Sequence, residues 1–415
     1  MNFTTLTEEE FRSHALNNEL SNFLQTPAMK RLREQRGWSA EYVGVKDGET
    51  VVASAMLARM KIRFGYYYDI DGGFIADYSN KEVVTTFIDG LKKYLKEKGA
   101  LYVTMTPNIT YQERDWNGTA VGKPDNATLE LLKSLGFSHH GFEHGFSNSS
   151  PRWVFVKDME GLEATSLRKS YQKDANYSLK KTAQFGIQIR DLDYDELPKF
   201  KKLTEHTAER RSFNDKDLSY YQTVYKEFGD SAKFVVAEIN FATYIDNLNQ
   251  RKNELQERLN GIYADLEKNP NSRKKNNQKR EFEDELRTFD KRIKEAEEFR
   301  KEDGNEDIIL AGALFIIGAH EVIYLFSGTY DKYKNFYAPF LIQDKMLELT
   351  VERGIPKYNF YGINGNFDGS DGVLKFKQSF TGNVEEKIGS FDLVIQPIKY
   401  KIYNSLRNLT DKVRG

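Results

Sequence analysis

A heptad-patterned segment between two apolar runs constrains the fold of this chain more than any other feature. Its apolar residues recur at spacings of three and four: Phe241, Ile245, Leu248, Leu255, Leu259, Ile262 and Leu266, then Phe282, Leu286, Phe289, Ile293 and Ala296. Lys252 occupies the vacant position of this stripe, and Pro270 lies in a break between its two halves. An a/d stripe is buried only when a second helix packs on it. The sequence therefore predicts an antiparallel coiled-coil hairpin over residues 241–303.

The segments that flank the hairpin have the character of buried strands. Lys233–Ile239 and Ile308–Ile317 are rich in β-branched and aliphatic residues, and we expect them to lie side by side. A helix from Asp344 to Arg353 should end at Gly354. The strand Tyr358–Tyr361 should follow, before a loop of Gly, Asn and Asp that extends to Gly372.

The first 150 residues show the same alternation of strands and helices. Tyr42–Val45 and Val51–Leu57 are strand-like, and the Asp47-Gly48 pair between them is typical of a hairpin turn. Lys81–Lys98 has one apolar face, which predicts a helix, and Leu101–Met105 predicts the next strand. A mixed sheet flanked by helices, formed twice, accounts for this order.

The predicted organisation is an α+β fold with two lobes and an inserted arm. The chain's 415 residues exceed the size of one ordinary core. We expect residues 1–150 to form the first lobe, residues 151–240 and 304–396 the second, and residues 241–303 the arm. Residues 397–415 should form a helix that packs back on the body. Its inward stripe should be Ile398, Ile402, Tyr403 and Leu406.

Composition excludes several classes of protein. The chain has no cysteine, so disulfides and thiolate chemistry are absent, and its net charge of −1 argues against an extended nucleic-acid surface. There is no GxxxxGK[ST], HExxH or GxSxG motif. His139, His140 and His144, with Glu143 nearby, do not have the spacing of a metal site, so we expect no metal and no cofactor. The start has no leader pattern, and no apolar run is long enough to span a bilayer, which favours a cytoplasmic protein.

Three polar regions are candidates for ligand binding. Segments 328–340 and 361–380 combine Tyr, Gly and Lys, which suits a phosphate- or sugar-bearing substrate, although sheet-edge turns with solvated lysines explain these segments slightly better when they are taken alone. The third region could contact a polyanion, although such a run of charges is more often a solvated face. Its basic residues are Arg168, Lys169, Lys173, Lys180, Lys181 and Arg190.

Taken in order, short motifs along nearly the whole chain resemble the FemABX family of peptidyltransferases, most closely its FemA-like branch. They are Phe23–Thr26, Gly37-Trp38, Leu101–Val103, Leu135–Phe137, Ala208–Arg210, Asp217–Tyr221, Asn335–Phe340, Tyr358–Gly362 and Gly372–Lys377, with the coiled-coil insertion among them. The resemblance implies two lobes that are each similar to a GNAT acetyltransferase. It also implies transfer of an amino acid from aminoacyl-tRNA to the stem peptide of a UDP-linked or lipid-linked muropeptide.

The resemblance also implies partners and site residues. A second copy of the chain or a related bridge-building enzyme is a further candidate partner, and a lipid-linked acceptor would bring the protein to the inner face of the membrane as a peripheral protein at most. By position, the implied site residues are Arg33 near a diphosphate, Tyr102, Lys216, Tyr220 and Tyr337 for substrate, Lys180 and Lys181 for tRNA, and Phe376 and Lys377 as the catalytic pair. Lys377 would contact phosphate or stabilise developing charge.

One departure from the family pattern concerns the proton that the attacking amine must lose. Family members often carry Asp before Pro after the Tyr-bearing strand, whereas this chain has Thr106 before Pro107. A hydroxyl of ordinary acidity is not a general base. Two alternatives stay open. The GNAT-like lobes that the resemblance implies leave open a coenzyme A-dependent N-acyltransferase, and Thr106 leaves open a non-catalytic scaffold that binds tRNA or muropeptide or dimerises through the coil. The first requires a Gly-rich loop that enters a helix, and the residues after Gly372 do not indicate one.

Overall fold

Two mixed β-sheets flanked by helices form the body of the protein, so the predicted α+β class is confirmed. The structure, a computed structural model, describes residues 1–142, 144–145, 150–211 and 214–414, with side chains up to residue 407. Glu143, which was considered beside the histidines, lies outside the described residues.

The first sheet has the strand order β1-β2-β3-β4-β6-β17-β9, with β5 paired to β3. Its strands are β1 (Asn2–Thr5), β2 (Ser39–Asp47), β3 (Thr50–Ile62), β4 (Gly65–Gly72), β5 (Ile75–Ala76), β6 (Ala100–Pro107), β9 (Ser138–His139) and β17 (Phe391–Val394). The helices around it are α1 (Glu8–Leu16), α2 (Pro27–Gln35), α3 (Lys81–Glu97), α4 (Asn126–Ser134) and α13 (Pro397–Arg414).

The second sheet has the order β11-β12-β13-β14-β15-β10-β16-β7-β8. Its strands are β7 (Thr110–Arg114), β8 (Ala120–Val121), β10 (Trp153–Asp158), β11 (Gln188–Asp191), β12 (Ala232–Asn240), β13 (Asp307–Ile317), β14 (Glu321–Thr329), β15 (Lys357–Gly362) and β16 (Asn383–Lys387). Its helices are α5 (Ala164–Leu167), α6 (Lys173–Phe185), α7 (Leu197–Arg211), α8 (Leu218–Phe228), α11 (Ala338–Glu352) and α12 (Gly372–Gln378).

The same crossover unit recurs in both sheets. In the first sheet β4 and β6 are parallel and α3 connects them, and in the second sheet β14 and β15 are parallel and α11 connects them. A parallel pair requires a crossover of this kind, because a tight turn can join only antiparallel strands. The predicted hairpin β2–β3, helix α3 and strand pair β12–β13 are confirmed.

Strands are exchanged between the two halves of the chain. β7 and β8 come before residue 150 but extend the second sheet through β16, and β17 comes near the chain's end but pairs with β6 and β9 of the first. A buried cluster that includes Phe23 and Met29 on one side and Tyr221 and Phe234 on the other joins the halves further. The lobe boundaries drawn from the sequence stay a prediction, and the sheets do not follow them strictly.

The inserted segment forms two helices, α9 (Phe241–Lys268) and α10 (Arg273–Asp303), that pack on each other. Their direction follows from the pairs that link them: Phe241 with Phe299, Lys252 with Asp290, and Tyr263 with Glu283. Residue numbers rise on one helix as they fall on the other, so the helices are antiparallel. The stripe residues Leu255, Leu259 and Leu286 are buried between them.

Helix α13 contacts β6, but with a different face from the predicted one. Tyr400 and Tyr403 lie against Tyr102, with ring centroids 4.9 and 6.3 Å away, whereas Ile398 and Ile402 are exposed. The predicted inward stripe is therefore wrong in its first two members. Helical spacing alone allows either face of α13 to pack inward, and the aromatic contacts with Tyr102 select the face that carries Tyr400 and Tyr403.

Candidate functional site

A polar row on one face of the first sheet is the starting point of the candidate site. Residues at every second position of a strand point to the same face, and those of β4 and β6 are aligned by their parallel register. The aligned pairs are Tyr67 with Tyr102, Asp69 with Thr104, and Asp71 with Thr106. We call these six residues the polar row. They bring two carboxylates to a face that would otherwise be expected to be apolar.

Arg33 lies over the polar row and neutralises its carboxylates. Thr26 caps helix α2, with its hydroxyl accepting from the Met29 N–H, and the end of the second turn of the helix then presents Arg33. The Arg33 guanidinium donates to Asp69 at 2.6 Å and to Asp71 at 3.2 Å. Burial nevertheless raises the pKa of Asp69 to about 6, with the neighbouring Asp71 charge adding to the rise.

Lys216 and Tyr220 lie next to Arg33 because α8 packs on α2. The Asp217 carboxylate caps α8 by accepting from the Tyr220 N–H and also pairs with Arg36. The Arg36 and Lys216 cations lie 5.6 and 5.4 Å from the centroid of the Tyr220 ring. Burial raises the pKa of Tyr220 to about 12, so its phenol stays protonated.

Tyr102 lies at the other end of the polar row, under α13. Its ring centroid is 4.8 Å from that of Tyr67, and Tyr67 in turn contacts Trp38 beside Arg33. Burial raises the pKa of the Tyr102 phenol. A line of aromatic rings therefore connects Tyr102 to the cluster that contains Arg33.

A cavity of about 720 Å³ opens between the two sheets beside the polar row. Thr106 and Ser390 line it from the first sheet's side, with their hydroxyls 2.9 Å apart. Glu321 and Tyr361 line it from the second. Ser150 lies on its wall and donates to Asp71 at 2.9 Å, which joins the cavity to the polar row.

Tyr361 has the most unusual backbone on this wall. Its φ of 65° is uncommon for a residue with a side chain, and such strain persists where the surroundings enforce it. The Asn359 side chain accepts from its N–H at 2.8 Å, and the Lys377 ammonium donates to the carbonyls of Tyr361 and Gly362 at 3.1 and 2.6 Å. Lys377 is 4% exposed, and burial lowers its pKa to about 7.

The remaining predicted site residues form a second cluster on the other lobe. The Tyr337 ring contacts Tyr177 of α6, whose own ring lies 5.4 Å from the Lys181 ammonium. Phe376 packs on Phe340, with ring centroids 4.9 Å apart. Lys180 is exposed beside this cluster. The predicted residues are thus brought together as two groups, and Lys377 is held by the carbonyls of Tyr361 and Gly362 at the cavity wall.

Two sequence-based expectations require correction. The loop that ends at Asp371 does enter a helix, since α12 begins at Gly372, and the Asp371 carboxylate accepts from the Val373 N–H. An acidic cap of this kind offers no site for pyrophosphate. Of the predicted basic region, Arg168 is paired with Asp344 and Arg190 with Glu196, so the region is not a continuous basic face.

Asp69 and Asp71 were not singled out from the sequence, and Tyr361 was named only as the end of a strand and the start of the candidate segment 361–380. The alternation of Tyr67, Asp69 and Asp71 was a usable signal, because a strand with acids at every second position presents them on one face. Nothing local could have revealed the strained backbone of Tyr361. Among the described residues, no cluster of three or more His, Asp or Glu side chains is placed to hold a metal ion. No helix of the described part is long and apolar enough to cross a membrane.

This architecture, with two mixed sheets and an arm inserted between neighbouring strands, matches a known class of protein. Residues 6–408 match the FemAB family, and the chain belongs to it. An aminoacyltransferase FemA of Staphylococcus epidermidis (strain RP62A) is 35% identical over 418 residues, covering 99% of this chain and all of that protein. Its counterpart in Staphylococcus aureus (strain NCTC 8325) is 32% identical over 421 residues, covering both chains completely.

The fold agrees with a solved relative as well. The crystal structure of FemX superposes with a TM-score of 0.78 at 23% identity, covering 97% of this chain and 99% of that one. The full-length similarity to the staphylococcal proteins makes this chain an aminoacyltransferase.

Proposed function

We propose that this aminoacyltransferase moves an amino acid from aminoacyl-tRNA onto the stem-peptide amine, or the growing bridge, of a peptidoglycan precursor. The observation that carries the proposal is the cationic and aromatic cluster of Arg33, Lys216 and Tyr220 beside the cavity between the sheets. A precursor with a diphosphate and a sugar needs both cations and aromatic surface. The names of the full-length relatives support the same chemistry.

Within the cluster the cations have different surroundings. Lys216 is exposed and Arg36 is open on one side, so both can contact an acidic acceptor. Arg33 is held by two carboxylates and is largely buried, which suits a residue that orients the polar row and lends positive potential to a diphosphate nearby. Tyr220 offers its ring between them, and Tyr102 extends the same aromatic line.

The reaction needs no external energy source, because an aminoacyl ester is already activated. The acceptor amine attacks the ester carbonyl, a C–N bond forms, the bond to the ribose oxygen breaks, and the amine proton ends on that oxygen. Thr106 cannot serve as a general base, but the amine proton can pass directly to the departing ribose oxygen, so the reaction does not require a base from the protein. The protein's task is then to align amine and ester and to stabilise the oxyanion.

The second cluster is the proposed donor side. Exposed Tyr177 and half-buried Tyr337 and Lys181 form an aromatic and basic patch, and exposed Lys180 lies beside it. Aromatic rings stack on unpaired bases and lysines pair with phosphates, which suits the single-stranded end of a tRNA. Lys377 and Phe376 are the proposed catalytic pair. Lys377 either keeps the Tyr361 backbone in place or changes rotamer to contact negative charge on the substrate.

The decisive experiment is transfer of radiolabelled Gly, Ala and Ser from charged tRNA to UDP-linked and lipid-linked muropeptides, each unextended or carrying one bridge residue. We expect label in one acceptor with one donor, which also identifies the bridge position. Transfer from an acyl-coenzyme A but from no charged tRNA would replace the proposal with the coenzyme A alternative. Binding of both substrates by folded protein without any transfer would make the chain a scaffold.

Arg33→Met tests the proposed acceptor cluster. Loss of this largely buried cation leaves Asp69 and Asp71 uncompensated, and we expect the free energy of unfolding to fall by about 3 kcal/mol and the acceptor KM to rise. Arg31→Met is the matched control, since Arg31 lies on the same helix but is solvent-exposed in its pair with Glu227. Loss of this exposed ion pair should lower the free energy of unfolding by no more than about 1 kcal/mol. Urea unfolding and acceptor kinetics measure both, and equal behaviour of the two variants would refute the assignment.

A further inference from the structure

The outer face of α13 carries exposed apolar side chains among lysines. Ile398 is 78% and Ile402 49% exposed, and a spacing of four places them on the same side of the helix. Lys399 and Lys401 are exposed beside them. A helix that turns isoleucines to solvent and surrounds them with lysines has the pattern of a helix that lies in a membrane interface.

A third exposed apolar residue lies where α13 begins, at the same end of the first sheet's strands. Phe64, at the tip of the β3–β4 hairpin, is 45% exposed, with a φ of 74° and the Arg63 guanidinium 5.2 Å from its ring centroid. Tyr66, at the start of the strand that follows, donates its N–H to the Gly99 carbonyl. The segment that leads into α13 also reaches this edge, where Ile395 donates to Leu101 O at 2.9 Å.

The exposed charged side chains next to these apolar residues are positive. We call the set of Phe64, Ile398 and Ile402, with the basic residues beside them, the α13 surface. Its exposed basic residues are Arg63, beside Phe64, and Lys399 and Lys401, beside the isoleucines. Three cations around three exposed apolar side chains complement an anionic surface.

The inner face of the same helix contacts the candidate site. Tyr400 and Tyr403 lie on Tyr102, and Arg407 lines the cavity. The helix therefore separates the α13 surface from the acceptor end of the polar row by its own thickness, roughly 10 Å. Anything that binds its outer face is held close to the mouth of the cavity.

We propose that the α13 surface docks on an anionic lipid bilayer and so presents the cavity to an acceptor held in that bilayer. This rests on the proposed function only in its choice of a lipid-linked acceptor. A nucleic acid is the less suitable partner, because phosphates would pair with the lysines but leave the isoleucines and Phe64 in water. Isoleucine and phenylalanine side chains gain from entering the acyl boundary, and lysines gain from anionic headgroups.

The test is sedimentation of the full chain with vesicles of phosphatidylcholine alone or with one third phosphatidylglycerol. We expect binding to the anionic vesicles, weakened by salt, and roughly tenfold weaker binding by Phe64→Asp/Ile402→Asp. Val121→Asp is the matched control, since Val121 is 50% exposed on the second sheet and has no such cluster of lysines in its strand. Thermal unfolding checks that all the variants fold.

Transfer assays separate this proposal from the proposed function. With the acceptor in vesicles, Phe64→Asp/Ile402→Asp should lose most transfer, while transfer to a soluble UDP-linked acceptor, where the enzyme accepts one, should match wild type. Absence of transfer by wild type to every acceptor would overturn the proposed function but leave the vesicle result intact. Equal vesicle binding by wild type and the double variant, no wild-type binding, or loss of tRNA binding alone in the double variant would overturn the docking proposal.

Discussion

At the scale of single residues, Lys377 and Tyr361 show how burial creates a specialised position. A tyrosine with positive φ costs about 1–3 kcal/mol, and here two hydrogen bonds from the Lys377 ammonium to the Tyr361 and Gly362 carbonyls hold that backbone in place. Within the described part of the chain no carboxylate pairs with the ammonium, although Asp371 is near enough to act on its pKa. Lys377 is therefore a buried amine that positions the cavity wall.

The lowered pKa of Lys377 makes stability depend on pH in a defined direction. Between about pH 7 and pH 10 the unfolded chain binds a proton at this lysine that the folded chain does not. Raising the pH through this range therefore stabilises wild type relative to Lys377→Met, by up to about 2 kcal/mol from pH 7.5 to pH 9. Urea unfolding at both pH values measures this difference. Lys375→Met, which removes an exposed lysine of the same helix, should show the wild-type dependence, and parallel profiles for wild type and Lys377→Met would contradict the assignment.

At the scale of elements, the arm is an insertion between two strands that already pair with each other. Asn240 at the end of β12 and Asp307 at the start of β13 are partners in the strand ladder, so the sheet needs nothing from the helices between them. The base of the arm is different. Phe241 and Tyr244 contact Phe336 of the second lobe's core, while farther out the two helices are paired with each other.

Shortening the arm should therefore leave the body folded. Lys252 and Asp290 form an ion pair across the two helices, so a four-residue turn can replace residues 253–289. We expect the thermal midpoint of the body to change by only a few degrees.

Phe241→Ala, at the buried base of the arm, should instead lower the free energy of unfolding by about 3–5 kcal/mol. Circular dichroism during heating measures both, and collapse of the shortened protein would show that the distal arm supports the core. If shortening raises the KM for aminoacyl-tRNA and leaves the acceptor KM unchanged, the distal arm contributes to tRNA binding.

At the scale of the whole molecule, the exchanged strands tie the two sheets together. β6 has β17 as its neighbour on one side, and β17 is supplied by residues almost three hundred positions later in the chain. β7 likewise depends on β16 for its place in the second sheet. The first sheet is thus complete only when the end of the chain has folded, and we expect the body to unfold as one cooperative unit.

A fragment of residues 1–150 tests this dependence. Without β17 the edge of β6 is unpaired, and without β16 the hairpin of β7 and β8 has no sheet to join. We expect the fragment to lack a cooperative thermal transition and dispersed amide resonances, both of which the full chain should show. Co-expression with residues 151–415 should restore them. A fragment that folds cooperatively by itself would show that the first lobe is independent of the exchanged strand.

The sequence by itself determined what depends on local periodicity: the helix pair of the arm, the β2–β3 hairpin with its Asp-Gly turn, and the amphipathic helix α3. Its ordered motifs were also enough to identify the family, and they are the source of the proposal that Arg33, Lys216 and Tyr220 bind the acceptor. Only the tertiary structure decided that Arg33 meets Asp69 and Asp71, that Lys377 is buried, that β17 crosses to the first sheet, and that α13 turns its isoleucines outward. These outcomes depend on contacts between residues far apart in the chain, and such contacts are fixed by packing and burial, which no local pattern encodes.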